Sequence, residues 1–540
     1  TKLTTTAGFM FGKDSWSGLT WYNAPDPRPD YYRYLPSYSS NDYDEIRQII
    51  IQNWQNDVNT RQIDWDHLYQ INYLANLAGK QAAYIQENNV TKYHQFSLNS
   101  HLDKEVNDHI SLNGGMNFSF YKANHYKEIM DMLGGNYWVD VDQYAERDFP
   151  GDSLIAQNDI NNPNRIVHKG DKFGYDYDAH INSGQLWGQG NFTYNKVDYY
   201  AAVSLSDTWF WRTGNMKNGR HPNNSFGDSK HYNYLNYGIR GGLTYKISGR
   251  HFLTVNGIYK TEAPYFNNAF ISPKTRDDVA PGLTSQKIYG GDINYILRYP
   301  WIKARLTYFY TQFRDGTEIS SFYHDDYRTF VNYSLSGIDE LHQGIEFGAE
   351  VKTTKWLSLF GVASVGNYIY TSRATGTVSY DNGSKPDTTS TVYMKNFYVP
   401  GNPQTALSGG FKINYKYWWI DLNANYYSNN WLDFYPGRRT EAAIANLGPG
   451  DPLITEITEQ KELKGGFTMD CSIGKSIMIN HKLFINLNLS VTNLLDNKDI
   501  QSGGYEQNRF DFTTRNISEF PPKYYYYFGR TVFLNISIRI

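Results

Sequence analysis

The sequence predicts an all-β fold: a transmembrane antiparallel β-barrel of about sixteen strands, with short turns at one rim and long loops at the other. Three observations lead there. Apolar and polar side chains alternate in segments of about ten residues, the period of a strand with one greasy face and one wet face. The connections between those segments are alternately short and long, the pattern of bacterial outer-membrane barrels. Aromatic residues make up 17% of the 540 residues, with 48 Tyr and 29 Phe, while hydrophobic residues reach only 40%. The sequence has no run of about 18 apolar residues, so no transmembrane helix is expected; a barrel is the other way to satisfy backbone groups in lipid.

Composition narrows the partners. The net charge of -3 argues against a nucleic-acid surface, which needs a strong positive field. Cys471 is the single cysteine, so no intrachain disulfide can form. The opening Thr-Lys-Leu-Thr-Thr-Thr has neither Met nor a signal peptide, and the sequence reads as a mature piece or a fragment. A soluble β-sandwich or propeller could share the 45 Gly and the abundant Tyr. It would hide its apolar faces in a dry core, whereas here strand after strand carries a polar second face, which calls for a wet lumen.

Taken in order, Leu3 to Gly12 is the first strand, running outward. A long connection is expected from Lys13 to about Asn88. Pro25, Pro27, Pro29 and Pro36 stiffen its early part, since repeated Pro forbids ladder bonding. Asn41 or Asp42 would then cap a helix with Ile46, Ile49, Ile50 and Trp54 on one face. Val90 to Leu102 returns to a turn at Asp103-Lys104-Glu105. Asp108 to Tyr121 follows, with Ile110, Leu112, Met116, Phe118 and Phe120 opposite Ser111, Asn113, Gly115, Asn117 and Ser119. A second large loop is expected at about 122–172. One domain, residues 1–540, is expected: a barrel with these two large outer loops.

Thereafter short turns fall near Asn195-Lys196, Ser248-Gly249-Arg250, Pro300-Trp301, Thr353-Thr354-Lys355, Lys416-Tyr417 and Asn480-His481. Long polar loops are expected near 213–230, 265–284, 316–337, 373–390 and 432–464. Ala304, Leu306, Tyr308 and Tyr310 oppose Lys303, Arg305, Thr307 and Thr311. Ile345, Phe347, Ala349 and Val351 oppose Gly344, Glu346, Gly348 and Glu350. Ile420, Leu422, Ala424 and Tyr426 oppose Asp421, Asn423, Asn425 and Tyr427. In the last strand Val532, Leu534, Ile536, Ile538 and Ile540 share a face, with Asn535, Ser537 and Arg539 opposite. Its nine residues, at about 3.3 Å each, cover about 30 Å. The upstream Tyr524 to Phe528 cluster suits a membrane interface.

Ser490-Val-Thr-Asn-Leu-Leu-Asp496, just before the end, resembles the "N-L-(L/F)-(D/N)" element of TonB-dependent outer-membrane transporters. Gly503 to Phe510, Phe520 to Thr531 and Gly344-Ile-Glu346 are similar to the Bacteroidota, SusC-related branch of that family. The resemblance implies a barrel of roughly 22 strands around a plug. Neither plug nor TonB box occurs in these residues, so the resemblance places them at about strands 7 to 22. It departs at Ile540, where outer-membrane proteins usually end in Phe.

The resemblance implies TonB-dependent import of a nutrient (a metal chelate, a peptide or a glycan) across the bacterial outer membrane. Expected partners are outer-membrane lipids and lipopolysaccharide, the TonB complex, and a surface lipoprotein lid. Two other readings stay open: a passive porin of about sixteen strands, and a structural barrel within a larger outer-membrane assembly. No cofactor is expected.

No His-Glu-x-x-His, Gly-x-Ser-x-Gly or P-loop occurs, so an enzyme is not expected. Ser472-Ile-Gly-Lys475 matches Ser-x-x-Lys on a membrane strand without partner motifs. His324-Asp325-Asp326 and the group Asp171, Asp176 and Asp178 read as solvated loop acids rather than cation sites. Arg305, Glu346, Glu350 and Asp421 should face the lumen or a plug.

Ligand contact is expected from the outer loops, where rigid aromatics stand beside arginines. The candidates are Trp21, Tyr31, Tyr32, Arg33 and Tyr34; Trp209 and Trp211; and Trp431, Tyr435, Arg438 and Arg439. An outer-leaflet aromatic girdle is the competing role for each aromatic.

Overall fold

A computed structural model of the chain describes all residues except 39–43, 325–328, 384, 481–482 and 540. Nineteen strands make one sheet. Three of them, Gly227–Asp228, Thr375–Tyr380 and Thr388–Thr391, are short pieces on loop extensions. The other sixteen are β1 (Lys2–Trp21), β2 (Tyr84–Asn107), β3 (Ile110–Asp131), β4 (Lys172–Thr193), β5 (Val197–Gly214), β6 (Tyr232–Lys246), β7 (His251–Glu262) and β8 (Gln286–Arg298), then β9 (Ile302–His324), β10 (Thr329–Lys352), β11 (Leu357–Tyr370), β12 (Thr405–Tyr415), β13 (Trp418–Ser428), β14 (Gly466–Ile479), β15 (Leu483–Thr492) and β16 (Thr531–Arg539). Each pairs antiparallel with the next along the chain.

The register shows why this is a membrane wall. Residues directly opposite one another share a face. One row crosses nine strands, from β6 to β14: Tyr245, Leu253, Tyr295, Leu306, Phe347, Ala363, Leu407, Tyr426 and Phe467. All of these are apolar or aromatic, and all but Ala363 are exposed. One residue along, the neighbouring row reads Thr244, Thr254, Asn294, Thr307, Glu346, Ser364, Ala406, Tyr427 and Gly466. Here Asn294 and Thr307 are buried, and Arg305 donates from Nε to Asn294 Oδ1 at 2.9 Å and to Thr307 Oγ1 at 3.1 Å. A greasy band outside and a hydrogen-bonded face inside is the division a bilayer-spanning barrel requires.

Among the described residues no ladder joins β1 to β16. The outer edges of β1 and β16 thus have no strand partner among those residues.

Strands reach further outward than alternation suggests. Lys13 to Trp21, expected in a loop, continues β1 against Lys92 to Tyr84. The expected turn at Asp103-Lys104-Glu105 is strand, and the chain reverses at Asp108-His109 instead. Residues 122–131, placed in the second loop, belong to β3. The expected loop at 316–337 is mostly a hairpin: after an irregularity between Phe313 and Gly316, β9 and β10 stay paired out to His324 and Thr329. Part of 373–390 also forms strand, Thr375–Tyr380 pairing with β10. The helix α1 (Asp44–Asn56) forms as expected, with Ile46 and Ile49 exposed. The proposed caps Asn41 and Asp42, the acids Asp325 and Asp326, His481 and Ile540 lie outside the described residues.

The loops carry their own cores. Helix α2 (Trp65–Leu77) docks through Asn72, whose amide is fully buried. Its Nδ2 donates to the carbonyls of Tyr84, Met132 and Leu133, and its Oδ1 accepts from the backbone N–H of Ala83 and Tyr84. This one side chain ties the first loop to the root of β2 and the end of β3. A larger loop core forms around Val331, Tyr333, Tyr370, Phe434, Tyr435 and Phe510.

Candidate functional site

The outer end of the wall opens into a chamber of about 840 Å³. The end of β1 supplies Trp21, and the connection after it supplies Pro25, Asp26, Arg28, Tyr31, Arg33 and Tyr34. Helix α3 (Gln143–Asp148) supplies Tyr144 and Arg147; the tip of the β9–β10 hairpin supplies Tyr323 and Phe330; the connection before β16 supplies Arg509. Asp142 caps α3, accepting from the N–H of Tyr144 and Ala145, and so sets the direction of both α3 side chains.

The aromatic walls are packed against one another. Tyr31 meets Tyr32 and Tyr34 edge-on at 4.7 and 5.3 Å. Tyr144 meets Phe330 at 5.6 Å and Tyr323 at 5.5 Å. Tyr34 and Tyr84 donate to the carbonyls of Asp26 and Pro25, which fixes the Pro-rich segment to the wall. Burial, with Tyr323 and Asp142 nearby, pushes the Tyr144 phenol up to about 12, so it stays protonated at neutral pH.

Charge is one-sided. Four arginines line the chamber against a single aspartate. Asp26 grips Arg28, whose guanidinium lies 5.2 Å from the Trp21 ring centre. Arg33 donates to the Tyr32 hydroxyl at 2.8 Å, Arg509 lies 4.6 Å over Tyr32, and Arg147 pairs with Asp148 at 2.7 Å. Each of the four guanidiniums lies over an aromatic ring, Arg33 on Tyr32 and Arg147 on Tyr144 both at 5.6 Å.

Of the sequence candidates, Trp21, Tyr31, Arg33 and Tyr34 line this chamber, while Tyr32 is buried behind it. The others lie elsewhere. Trp209 shares a row with Phe120 and packs against it on the outer face. Trp211 is stacked between His180 and His231, each at 4.4 Å. Trp431 stacks on Tyr398 at 4.2 Å, and Tyr435 is buried in the loop core.

Arg438 and Arg439, expected at the ligand, are instead inside that core. Arg439 is clamped by both Glu506 oxygens and donates to the carbonyls of Tyr435 and Glu459. Arg438 donates to those of Ile457 and Glu456. They brace the loop because Glu506 lies opposite, which the local pattern does not reveal.

Sequence reading missed Tyr144, Arg147, Tyr323, Phe330 and Arg509. The aromatic-beside-arginine signal was present at Tyr144 and Arg147, but nothing local joined it to Tyr31 to Tyr34. Glu346 and Arg305 lie on the face opposite the exposed apolar row, as do Glu350 opposite Lys303 and Asp421 opposite Lys412. Asp176 and Asp178 are held by Lys172 and Lys122, each at 2.8 Å. Ser472 donates to Asn488 while Lys475 lies over Trp418, so the Ser-x-x-Lys pair does not converge.

The fold is that of an outer-membrane β-barrel. Its likeness to the ferric citrate transporter FecA in unliganded form has a TM-score of 0.50 at 10% identity, covering 84% of this chain and 58% of that one. The ferric-catecholate import receptor Fiu of E. coli K12 in its closed form matches at a TM-score of 0.49 and 11% identity, over 84% and 55%. The ferric yersiniabactin uptake receptor FyuA of Yersinia pestis matches at 0.49 and 12%, over 85% and 57%. The chain thus spans a little more than half the length of these proteins. No protein-family model matches this sequence, and no curated protein does.

Proposed function

We propose that the chain forms most of the barrel of an outer-membrane importer that captures an anionic nutrient, a metal chelate, peptide or glycan, and draws on TonB for energy. The observation that carries this reading is the outer chamber: four arginines and a ring of packed aromatics at the mouth of a polar-faced wall. In the open edges of β1 and β16, lipid would leave a row of backbone groups unsatisfied. We infer that further strands fill that seam. Because β1 and β16 run antiparallel, their number is even, and the six implied by the family resemblance fit. A plug within the barrel and a surface lipoprotein lid complete the same reading.

A passive sixteen-stranded porin calls for a β1–β16 ladder, which is absent among the described residues. The test is uptake of candidate nutrients by cells expressing the complete protein, with TonB intact or deleted. Import is expected only with TonB. Equal uptake through this protein in both strains refutes the reading.

A further inference from the structure

A second chamber, of about 450 Å³, adjoins the first and shares Tyr144 and Phe330 with it. That volume suits a small molecule. Three cations line it: Lys127, Arg220 and Lys274. Lys127 is paired with Glu87 at 2.8 Å. Arg220 is only 8% exposed; one terminal nitrogen pairs with Asp142 at 2.8 Å, and its Nε is enclosed by protein, without a hydrogen-bond partner among the described residues.

Lys274 differs from both. Its ammonium lies 5.0 Å from the centre of the Tyr175 ring and has no hydrogen-bonded or ion-paired acceptor among the described residues. Tyr175 is itself held by its hydroxyl, which donates to Asn89 at 3.0 Å. The side chain reaches solvent, yet the protein around it, with Lys127 adding repulsion, pushes its pKa down. Asp381, a lining acid, is hydrogen-bonded to Asn332 and so deeply buried that its carboxyl pKa is raised. Lys274 therefore faces the chamber with Glu87 and Asp381 as nearby carboxylates but with no hydrogen-bonded acceptor of its own among the described residues. A bound oxyanion would supply that acceptor. The remaining lining is rich in amides and hydroxyls, including Gln143, Asn158 and Thr275, with aromatic faces at Tyr144 and Phe330. Such a mixture suits a hydroxylated ring, apolar on its faces and polar at its edge.

We propose that this chamber binds a sugar acid, with Lys274 recognising the carboxylate and Tyr144 and Phe330 packing on the ring. Its use in transport rests on the import reading; the binding itself does not. Calorimetry on the complete protein in detergent, titrated with D-glucuronate, D-glucose or inorganic phosphate, tests it. Glucuronate should bind at least roughly tenfold more tightly than glucose, from one charge-assisted contact. Lys274→Gln should lose that preference and Lys274→Arg should restore part of it. Lys274 stands on an outer loop, and unchanged thermal unfolding of the variants checks the fold.

Equal binding of glucose and glucuronate, or a Lys274→Gln variant with unchanged affinity, overturns the proposal. Phosphate binding as tightly as glucuronate overturns the sugar-acid assignment. TonB-dependent uptake without Lys274-dependent binding sinks this inference alone. Lys274-dependent binding without TonB-dependent uptake supports it and sinks the import reading alone.

Discussion

Glu506→Ala should open the outer loop core while leaving the barrel wall intact. The side chains of Glu506, Arg438 and Arg439 are 2%, 5% and 0% exposed. Glu506 clamps Arg439, lies 3.5 Å from Arg438, and accepts from the backbone N–H of Tyr435 at 2.9 Å. Removing one side of a buried ion pair costs about 3–5 kcal/mol, and an orphaned backbone N–H adds about 1–3 kcal/mol. The two guanidiniums keep their carbonyl acceptors, which relieves part of that cost. Taking about 3 kcal/mol as the net effect, the open population rises roughly 100-fold, at about 1.4 kcal/mol per tenfold. Hydrogen exchange or limited proteolysis across 429–465 and 501–526, in the regime where rate follows the open population, reads this directly. Glu506→Gln, which keeps the shape and one acceptor, should fall between wild type and Ala. An increase under about threefold in the Ala variant would refute the assignment of Glu506 as the clamp.

Four further outcomes follow from the same structure. Phe347→Arg, in the outer apolar row, should cost about 2–4 kcal/mol in vesicle folding titrations, while Ser364→Arg in the inner row should cost little. Asn72→Ala removes a saturated buried amide and should speed exchange at Ala83 and Tyr84 by at least roughly tenfold. On the proposed import of an anion, Arg147→Gln should raise the KM for uptake several-fold without changing thermal stability, since its side chain lines the mouth and faces solvent in part. His221 is held neutral, with a pKa lowered to about 3 by burial and by Arg276 and Arg220. The unfolded chain therefore binds the extra proton between about pH 6.5 and 3, so the 215–231 loop should loosen as pH falls through that window. His221→Asn should flatten that dependence in hydrogen exchange.

Alternation along each strand depends only on the direction of successive Cβ atoms, so the faces of β9, β10, β13 and β16, the short turns at Pro300-Trp301, Thr353-Thr354-Lys355 and Lys416-Tyr417 and the membrane-spanning class were all determined by the sequence alone. The outward extensions of β1, β9 and β10 were not, because Asp14, Ser15, Ser320 and Ser321 become strand residues only through ladder partners supplied by another segment. Half of the outer chamber was visible for a similar reason. Trp21 to Tyr34 are neighbours in the chain, but Tyr144, Phe330 and Arg509 join them only when loops from three other connections meet at the rim. The same holds for Arg438 and Arg439. Their residue type says only that a charge must be met, by ligand, solvent or acid, and the arrival of Glu506 from 67 residues away decided which. Tertiary structure chose the partners because charge and hydrogen bonding act through space, whereas the period of a strand acts along the chain.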